Sequence, residues 1–195
     1  MLFLGVLFGL YTAAVVYALG SFLEERFPHE ETPFYTAFFS SAGVEEAVKF
    51  LFLFFLIWGN RNFNEPLDGI VYGVFISLGF AWAENVIYVT HPILGGYKTA
   101  LERALLSVPG HGLFGVRMGY YFALGKYRSR KRYLPLAFFS PYLAHALYNY
   151  FLLKREPVFW LFFSVLEARL WVFGLKRIKE LQNCSPFREK VSKES

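Results

Sequence analysis

The chain has a single cysteine among its 195 residues, and its charged content is low. One thiol cannot close an internal disulfide, and Cys184 has no neighbouring Cys or His at metal-ligand spacing, so thiol catalysis and a cysteine-based metal site are not expected. Charged residues make up 18% of the chain, against about 25% in an average soluble domain. The sequence therefore does not have the charge that an ordinary solvated surface carries.

In place of charge, the sequence has long apolar blocks. Hydrophobic residues make up 55% of the chain, and they collect in stretches of about twenty residues, the length that crosses a bilayer as a helix. No internal repeat or soluble domain interrupts these blocks, and the first has neither a basic n-region nor a clear cleavage site, so we expect it to be a retained span. We predict an all-α, polytopic membrane bundle of about six transmembrane helices, with approximate bounds Leu2–Leu23, Pro33–Trp58, Asp68–Val89, Ala100–Leu124, Leu134–Leu153 and Val158–Leu175.

The net charge of +5 is distributed unevenly along the chain. One basic cluster follows the fourth span and another follows the sixth, which puts both on the same side of the membrane. Because cytoplasmic loops are rich in Lys and Arg, we predict a multi-pass protein of the cell membrane with cytoplasmic termini and no nucleic-acid partner. Residues 1–175 then form the bundle, and residues 176–195 form a basic cytoplasmic tail. Between spans four and six, Arg117 and Glu167 are expected to pair.

Five ionisable side chains lie inside the apolar blocks: Glu45, Glu46, Glu84, His111 and His145. Burying a charged residue in lipid costs at least about 2.5–3.5 kcal/mol, a cost normally tolerated when such groups meet each other, a metal or trapped water. With the predicted spans, all five lie in a slab roughly 12 Å thick. The sequence therefore predicts one polar site shared by four helices.

Two segments supply the carboxylates. Glu45 and Glu46 lie four and three residues before Lys49, close enough on a helix for the ammonium to keep one carboxylate ionised while the other takes up a proton. In the third span, Glu84 could be a third acid, a metal ligand or an orienter of water, and Asn85 could donate to a developing oxyanion. The alternative is structural: an ion pair in one helix and a polar contact between helices in the other.

Two other segments supply the imidazoles. His111 is followed at Gly115 by a small residue on the same face, which lets another backbone approach closely. His145 lies one turn before Asn149, which could hold the imidazole or share its ligand. Two His and one Glu form a known hydrolytic zinc set, so His111, His145 and Glu84 are the candidate ligands of a divalent metal such as zinc. Each histidine alone could equally be an interhelical contact.

Five motifs together are similar to those of one protein family. The motifs are Glu45-Glu46-x-x-Lys49, Asp68–Gly73, Ser77–Asn85, His111 with Gly115, and His145 with Asn149. They resemble the PrsW family of bacterial intramembrane proteases, distantly similar to the CAAX-prenyl protease and bacteriocin-immunity group. The resemblance implies first-site cleavage, on the outer side, of a single-span membrane-anchored anti-sigma factor. It also implies that the Glu pair, the third Glu and the two His are the catalytic residues.

Two features depart from the family pattern. The last motif of the family often ends in Asp, and here Asn149 takes that place. Asn is a poorer metal ligand and cannot act as a base, so we expect Asn149 only to orient its neighbours. By comparison with some relatives of the family, we also expect one N-terminal span fewer in this chain.

The predicted function is hydrolysis of a peptide bond by activated water. Either Glu45 or Glu46 takes the proton of the water, while the histidines and Glu84 bind a metal or position the water directly, with Lys49, Asn85 and Asn149 orienting the groups. A proton-coupled transporter is one alternative, although the chain has no inverted repeat or pair of visibly broken helices. A non-catalytic binding or immunity protein is another. The sequence leaves the substrate and the oligomeric state open.

Overall fold

The computed structural model describes residues 2–26, 32–90, 95–128 and 131–187, and the regular structure in these ranges is helical throughout. The predicted all-α fold is confirmed. The last residues of the predicted basic tail, 188–195, lie outside the described ranges. The six long helices are α1 (Leu2–Arg26), α2 (33–57), α3 (Pro66–Thr90), α4 (97–127), α5 (Tyr133–Lys154) and α6 (Pro157–Asn183).

Helices α2 and α4 each contain a π-helical segment. In α2 the segment is Thr36–Gly43, between a short turn Pro33–Tyr35 and the α-helical part Val44–Ile57. In α4 the segment is Arg103–Ser107, between Tyr97–Glu102 and Val108–Tyr127. A π turn holds one more residue than an α turn, and such segments are frequent at functional sites. Both segments come directly before the residues predicted to carry chemistry.

The start of α3 differs slightly from the prediction. The helix begins at Pro66, two residues before Asp68, the residue expected near its start. The carboxylate of Asp68 instead accepts hydrogen bonds from the backbone N–H groups of Asn64, at 2.9 Å, and Glu65, at 3.0 Å. Asp68 therefore stabilises the loop that leads into the helix from within its first turn.

The end of α6 also differs. The sixth span was expected to end near Leu175, where the polar tail begins, but the helix continues to Asn183. Leu181, which is 3% exposed, packs into the main hydrophobic core and holds this extension against the bundle. The extension carries basic residues on its other faces, so its composition is polar overall and did not indicate a continuing helix.

Helices α3 and α4 pack backbone to backbone through glycines. A Cβ added to Gly73 would lie 2.5 Å from the carbonyl oxygen of Gly115, and one added to Gly115 would lie 2.7 Å from that of Gly73. Gly69 and Gly119 make the same contact one turn further along. This is the close approach that the small residue at Gly115 predicted. It places His111, one turn before Gly115, beside α3.

The remaining helices surround this pair. Helix α1 packs against α3 and α2, α5 packs against α4 and α2, and α6 covers α4 and α5. The main hydrophobic core, which includes Leu53, Ile57 and Phe122, fills one end of the bundle. Two helices, Pro66–Thr90 and Pro157–Asn183, are each long and apolar enough to cross a bilayer. The number of spans in the membrane stays a prediction.

One predicted ion pair is wrong. Arg117 donates from Nε to the hydroxyl of Ser140 at 3.0 Å and lies over the ring of Phe173. Glu167 instead accepts a hydrogen bond from the indole N–H of Trp171, also at 3.0 Å. Each of the two side chains therefore bonds a different partner, and they do not pair with each other.

Candidate active site

Four of the five predicted ionisable residues form one buried group. Glu45 and Glu46 come from α2, His111 from α4 and His145 from α5, and one potential ligand atom of each lies within 4.8 Å of those of the others. All four residues are at most 5% exposed. Residues up to 100 positions apart in the chain therefore meet at one point, as the cost of burying each of them separately predicted.

Lys49 lies at the centre of this group. Its ammonium is fully buried and lies 2.8 Å from Glu46 Oε1, 3.4 Å from Glu45 Oε2 and 3.1 Å from His111 Nδ1. It also lies over the ring of Phe80, 4.3 Å from the ring centre. An ammonium has only hydrogens to donate, so His111 accepts at Nδ1. The cation compensates the two carboxylates, which would otherwise be buried without a counter-charge.

Glu84 contacts the group from α3. Its Oε2 accepts hydrogen bonds from His111 Nε2, at 3.1 Å, and from Arg103 Nη2, at 2.7 Å. Glu84 is not one of the four residues that lie within mutual ligand distance, so the group differs from the predicted metal set of Glu84, His111 and His145. The side chain carbonyl of Asn85 accepts from Arg103 Nε at 3.1 Å. Arg103 thus holds the side-chain amide of Asn85 in place.

His145 is held from both sides. Its Nδ1 lies 2.9 Å from Glu46 Oε1, and its Nε2 lies 3.1 Å from Nδ2 of Asn149. The same amide donates to Ser41 Oγ at 2.9 Å, and Ser41 donates to Glu45 Oε1 at 2.9 Å. Asn149 therefore contacts His145 directly and one carboxylate through Ser41; its orienting role stays a prediction.

The sequence analysis missed two polar contributors, Ser41 and Arg103. Each lies at a multiple of four residues before a predicted site residue: Ser41 precedes Glu45 by four, and Arg103 precedes His111 by eight, with Ser107 between them. The spacing of Ser41 was a detectable signal, whereas that of Arg103 was not, since eight residues of a regular α-helix do not return to the same face. Ser41 was missed because a hydroxyl costs little to bury, and Arg103 because it lies near a predicted span end, where charges are common.

A cleft of about 700 Å³ opens onto the group. The polar part of its lining includes Ser41, Glu84, Arg103, His111, His145 and Asn149. The largely apolar part comes from α4, α5 and α6; it consists of Leu106, Phe114, Tyr148, Leu152, Leu153 and Trp160. This size and mixed lining are typical of a substrate site.

The position of Tyr148 in the lining of the cleft depends on a small residue, Gly110. The phenol of Tyr148 donates to the backbone carbonyl of Leu106, in the π segment, at 3.0 Å. A Cβ on Gly110 would lie 3.2 Å from the ring of Tyr148, so a larger residue there would press against the phenol. Gly110 therefore admits the ring, which satisfies a carbonyl that the irregular turn leaves free.

The group has the donor set of a divalent metal site. Two carboxylates and two imidazoles suit zinc and similar ions. Glu46 Oε2 is buried and has no hydrogen-bond partner within the described part of the chain, which marks a place for a further ion or water. Lys49 contacts three of the same four residues, so an ion would share their charge with the ammonium. These residues fit a metal without selecting its identity.

Comparisons with known proteins show the family to which the chain belongs. A model of the family described as PrsW family intramembrane metalloprotease matches residues 1–173. The chain is 39% identical to Protease PrsW of Geobacillus kaustophilus over 76% of its length, but spans only 65% of that relative. It is 38% identical to Protease PrsW of Oceanobacillus iheyensis, covering 92% of this chain and 80% of the relative. The corresponding values for Bacillus subtilis are 35%, 77% and 68%. No solved structure matches significantly. The chain belongs to the PrsW family of intramembrane metalloproteases.

Proposed function

We propose that this protein hydrolyses a peptide bond in a single-span, membrane-anchored regulatory protein, using water activated by the Glu/His group. The observation that carries the proposal is the convergence of Glu45, Glu46, His111 and His145 in one buried group, whose two histidines line a cleft. Such a group, inside a family of intramembrane proteases, has the acids and imidazoles that water attack on an amide requires.

The general base is Glu46 in this proposal. Both oxygens of Glu45 are engaged, one by Ser41 and the other by Lys49. Oε2 of Glu46 is the carboxylate oxygen of the pair without a partner among the described residues, so it is free to accept a proton from water. Without a metal, His145 contacts Glu46 and lines the cleft, so it is the group placed to pass that proton to the leaving amine; with a metal bound to His145, Glu46 itself would pass the proton on.

A divalent metal would be held by His111, His145 and Glu45, the two-His, one-carboxylate set of many hydrolases. When bound, it polarises the scissile carbonyl and the attacking water. The residues keep their own tasks with or without it: Glu46 accepts the proton, Lys49 balances the carboxylates, and Asn149 holds the imidazole of His145 in place.

The substrate class is proposed from the resemblance to the family, which implies an anti-sigma factor cut outside its membrane span. The cleft supports this class in one respect. Its rim includes the charged residues Lys98, Glu102 and Arg155 at the ends of α4 and α5. A charged rim suits a substrate segment that leaves the bilayer and reaches water, because such a segment is polar and its backbone groups are not paired with one another.

The test is a cleavage assay with purified protein in liposomes. A panel of single-span reporters of the anti-sigma class is co-reconstituted, and products are followed with and without a chelator. We expect a defined product, lost with the chelator and restored by zinc if a metal is required. Product that is unaffected by the chelator assigns the chemistry to the glutamates alone. Proton-coupled solute uptake without product would assign a transporter, and neither activity would leave a binding protein; either result would overturn the proposal.

A further inference from the structure

Arg103 makes more contacts than an ion pair needs. Its Nη2 donates to Glu84 at 2.7 Å and to Ser107 at 3.1 Å, and its Nε donates to Asn85 at 3.1 Å. The guanidinium lies over the ring of Tyr88, 4.1 Å from the ring centre, and its side chain is only 15% exposed. The guanidinium of Arg103 is thus fixed in position by groups from both α3 and α4.

This fixed guanidinium determines how Glu84 meets His111. Glu84 Oε2 contacts both Arg103 and Nε2 of His111. A carboxylate paired with a guanidinium accepts hydrogen bonds and has no proton to donate, so the proton between Glu84 and His111 belongs to Nε2. On the other side of the ring, the ammonium of Lys49 donates to Nδ1. Both contacts select the same tautomer, with the lone pair on Nδ1.

The π segment places Arg103 on the required face of α4. Eight residues separate Arg103 from His111. In a regular α-helix these would make about 2.2 turns, so that the two side chains would point in clearly different directions. The π segment Arg103–Ser107 takes up one additional residue in its turn, which brings the separation close to two full turns. The irregular turn therefore aligns the guanidinium above the imidazole.

We propose that Arg103 is a positioning residue: it holds Glu84 against His111 Nε2 and so presents Nδ1 to the Glu45 and Glu46 side of the site. Glu84 then orients the imidazole and does not act on water. A carboxylate that holds the far nitrogen of a functional imidazole is a common supporting arrangement. The effect on catalysis rests on the proposed function, whereas the effect on the tautomer does not.

The test is ¹⁵N NMR of the full chain in detergent or lipid with labelled histidine. The imidazole nitrogen shifts distinguish protonated from unprotonated nitrogens, and the chain has four histidines, of which His111 is assigned from a His111→Asn variant. We expect wild-type His111 to be protonated at Nε2, with or without a metal, because only Nδ1 faces the acidic pair. A wild-type His111 that is protonated at Nδ1 alone would overturn the proposal, and this result needs no variant.

Three variants complete the test. Arg103→Gln releases Glu84, so His111 should show a second set of signals, and kcat should fall about 10- to 100-fold with KM nearly unchanged. Arg103→Lys keeps a cation beside Glu84 and should restore most of the single tautomer. The matched control is Arg117→Gln, which removes another partly buried guanidinium of α4, one that bonds Ser140 and not Glu84, and it should leave the His111 signals unchanged.

The outcomes separate the two proposals. An unchanged His111 in folded Arg103→Gln protein would overturn the positioning role even if cleavage were lost. Equal disturbance by Arg117→Gln would also overturn it, since the effect would then be a general loss of packing. If the wild-type protein cleaves no reporter but the His111 signals respond as expected, the proposed function fails and the positioning role stands.

Discussion

At the scale of single residues, the site depends on the balance of charge around Lys49. Its ammonium contacts two carboxylates and an imidazole while fully excluded from water. A buried charge is tolerated only where its partners are close and well oriented, and removal of one partner leaves the others uncompensated. Lys49 is therefore both a structural and an electrostatic requirement of the acidic pair.

Replacement of this cation should destabilise the protein. Lys49→Met leaves Glu45 and Glu46 buried without their counter-charge, and we expect the free energy of unfolding to fall by about 3–5 kcal/mol. The matched control is Lys98→Met, because Lys98 forms an ion pair that is exposed to solvent. Its side chain is 89% exposed, and its Nζ lies 3.8 Å from the carboxylate of Glu102. Such an exposed pair contributes about 0–1 kcal/mol to the free energy of unfolding. Reversible unfolding in mixed micelles measures both. Equal effects of the two variants would contradict the account.

The acids and imidazoles of the site were predictable from sequence, but several of their partners were not. Glu46 and His145 were recognisable because an ionisable group in an apolar block is costly and needs a reason. Ser41 carries no such cost, and the position of Arg103 near a helix end gave it an ordinary explanation. The tautomer of His111 was also beyond the sequence, since it depends on which groups from other helices approach each nitrogen.

At the scale of helices, the contact between α3 and α4 positions the site. The glycines let the two backbones touch, and this sets the distance between Glu84 on α3 and His111 on α4. Because the two backbones are in direct contact at these glycines, a side chain added to one of them must push the helices apart. A shift of the helices would disturb the hydrogen bond that holds the imidazole.

Two glycines of α4 should respond differently to the same added methyl group. In Gly115→Ala the Cβ would meet Gly73, Val74 and Ser77 within 2.9 Å, so we expect a loss of about 1–3 kcal/mol in stability together with slower cleavage. In Gly112→Ala the Cβ meets only a methyl of Leu78 at 3.5 Å, an ordinary contact, and stability should change little. The comparison uses unfolding and cleavage on both variants. A Gly115→Ala protein as stable and active as Gly112→Ala would refute the close backbone contact.

Except at the end of α6, which extends eight residues beyond the predicted Leu175, helix positions were predictable to within a few residues, but their internal irregularities were not. Apolar blocks of about twenty residues mark a helix through its length and composition. The π segments Thr36–Gly43 and Arg103–Ser107 are made of residues compatible with an α-helix, so composition gives no sign of them. The alignment of side chains on either side of a π segment, such as Arg103 with His111, could therefore not be derived from regular periodicity.

At the scale of the whole molecule, the two ends of the bundle differ in chemistry. One end holds the hydrophobic core and the basic residues that follow α4 and end α6, while the cleft opens at the other. The excess of Lys and Arg at the first end predicts that it faces the cytoplasm. The substrate cleft would then open toward the outer side, where the proposed substrate carries its exposed segment.

The single native cysteine allows this orientation to be tested. Cys184 is exposed just after the end of α6. A membrane-impermeant maleimide should label it in inside-out vesicles but not in intact cells. The matched probe is Lys98→Cys in a Cys184→Ser background, at an exposed position on the rim of the cleft, which should label in intact cells. Labelling of the two positions from the same side would contradict the predicted topology.

The central claim is that Glu46, at the meeting point of α2, α4 and α5, activates the water that cuts the substrate. The most direct measurement is the initial rate of reporter cleavage in liposomes for wild type, Glu46→Gln and Glu25→Gln. Glu25 is an exposed acid at the end of α1 and serves as the matched control. We predict that Glu46→Gln lowers the rate by about 10²- to 10⁴-fold while Glu25→Gln leaves it unchanged. Equal rates for the two inserted and folded variants would contradict the account.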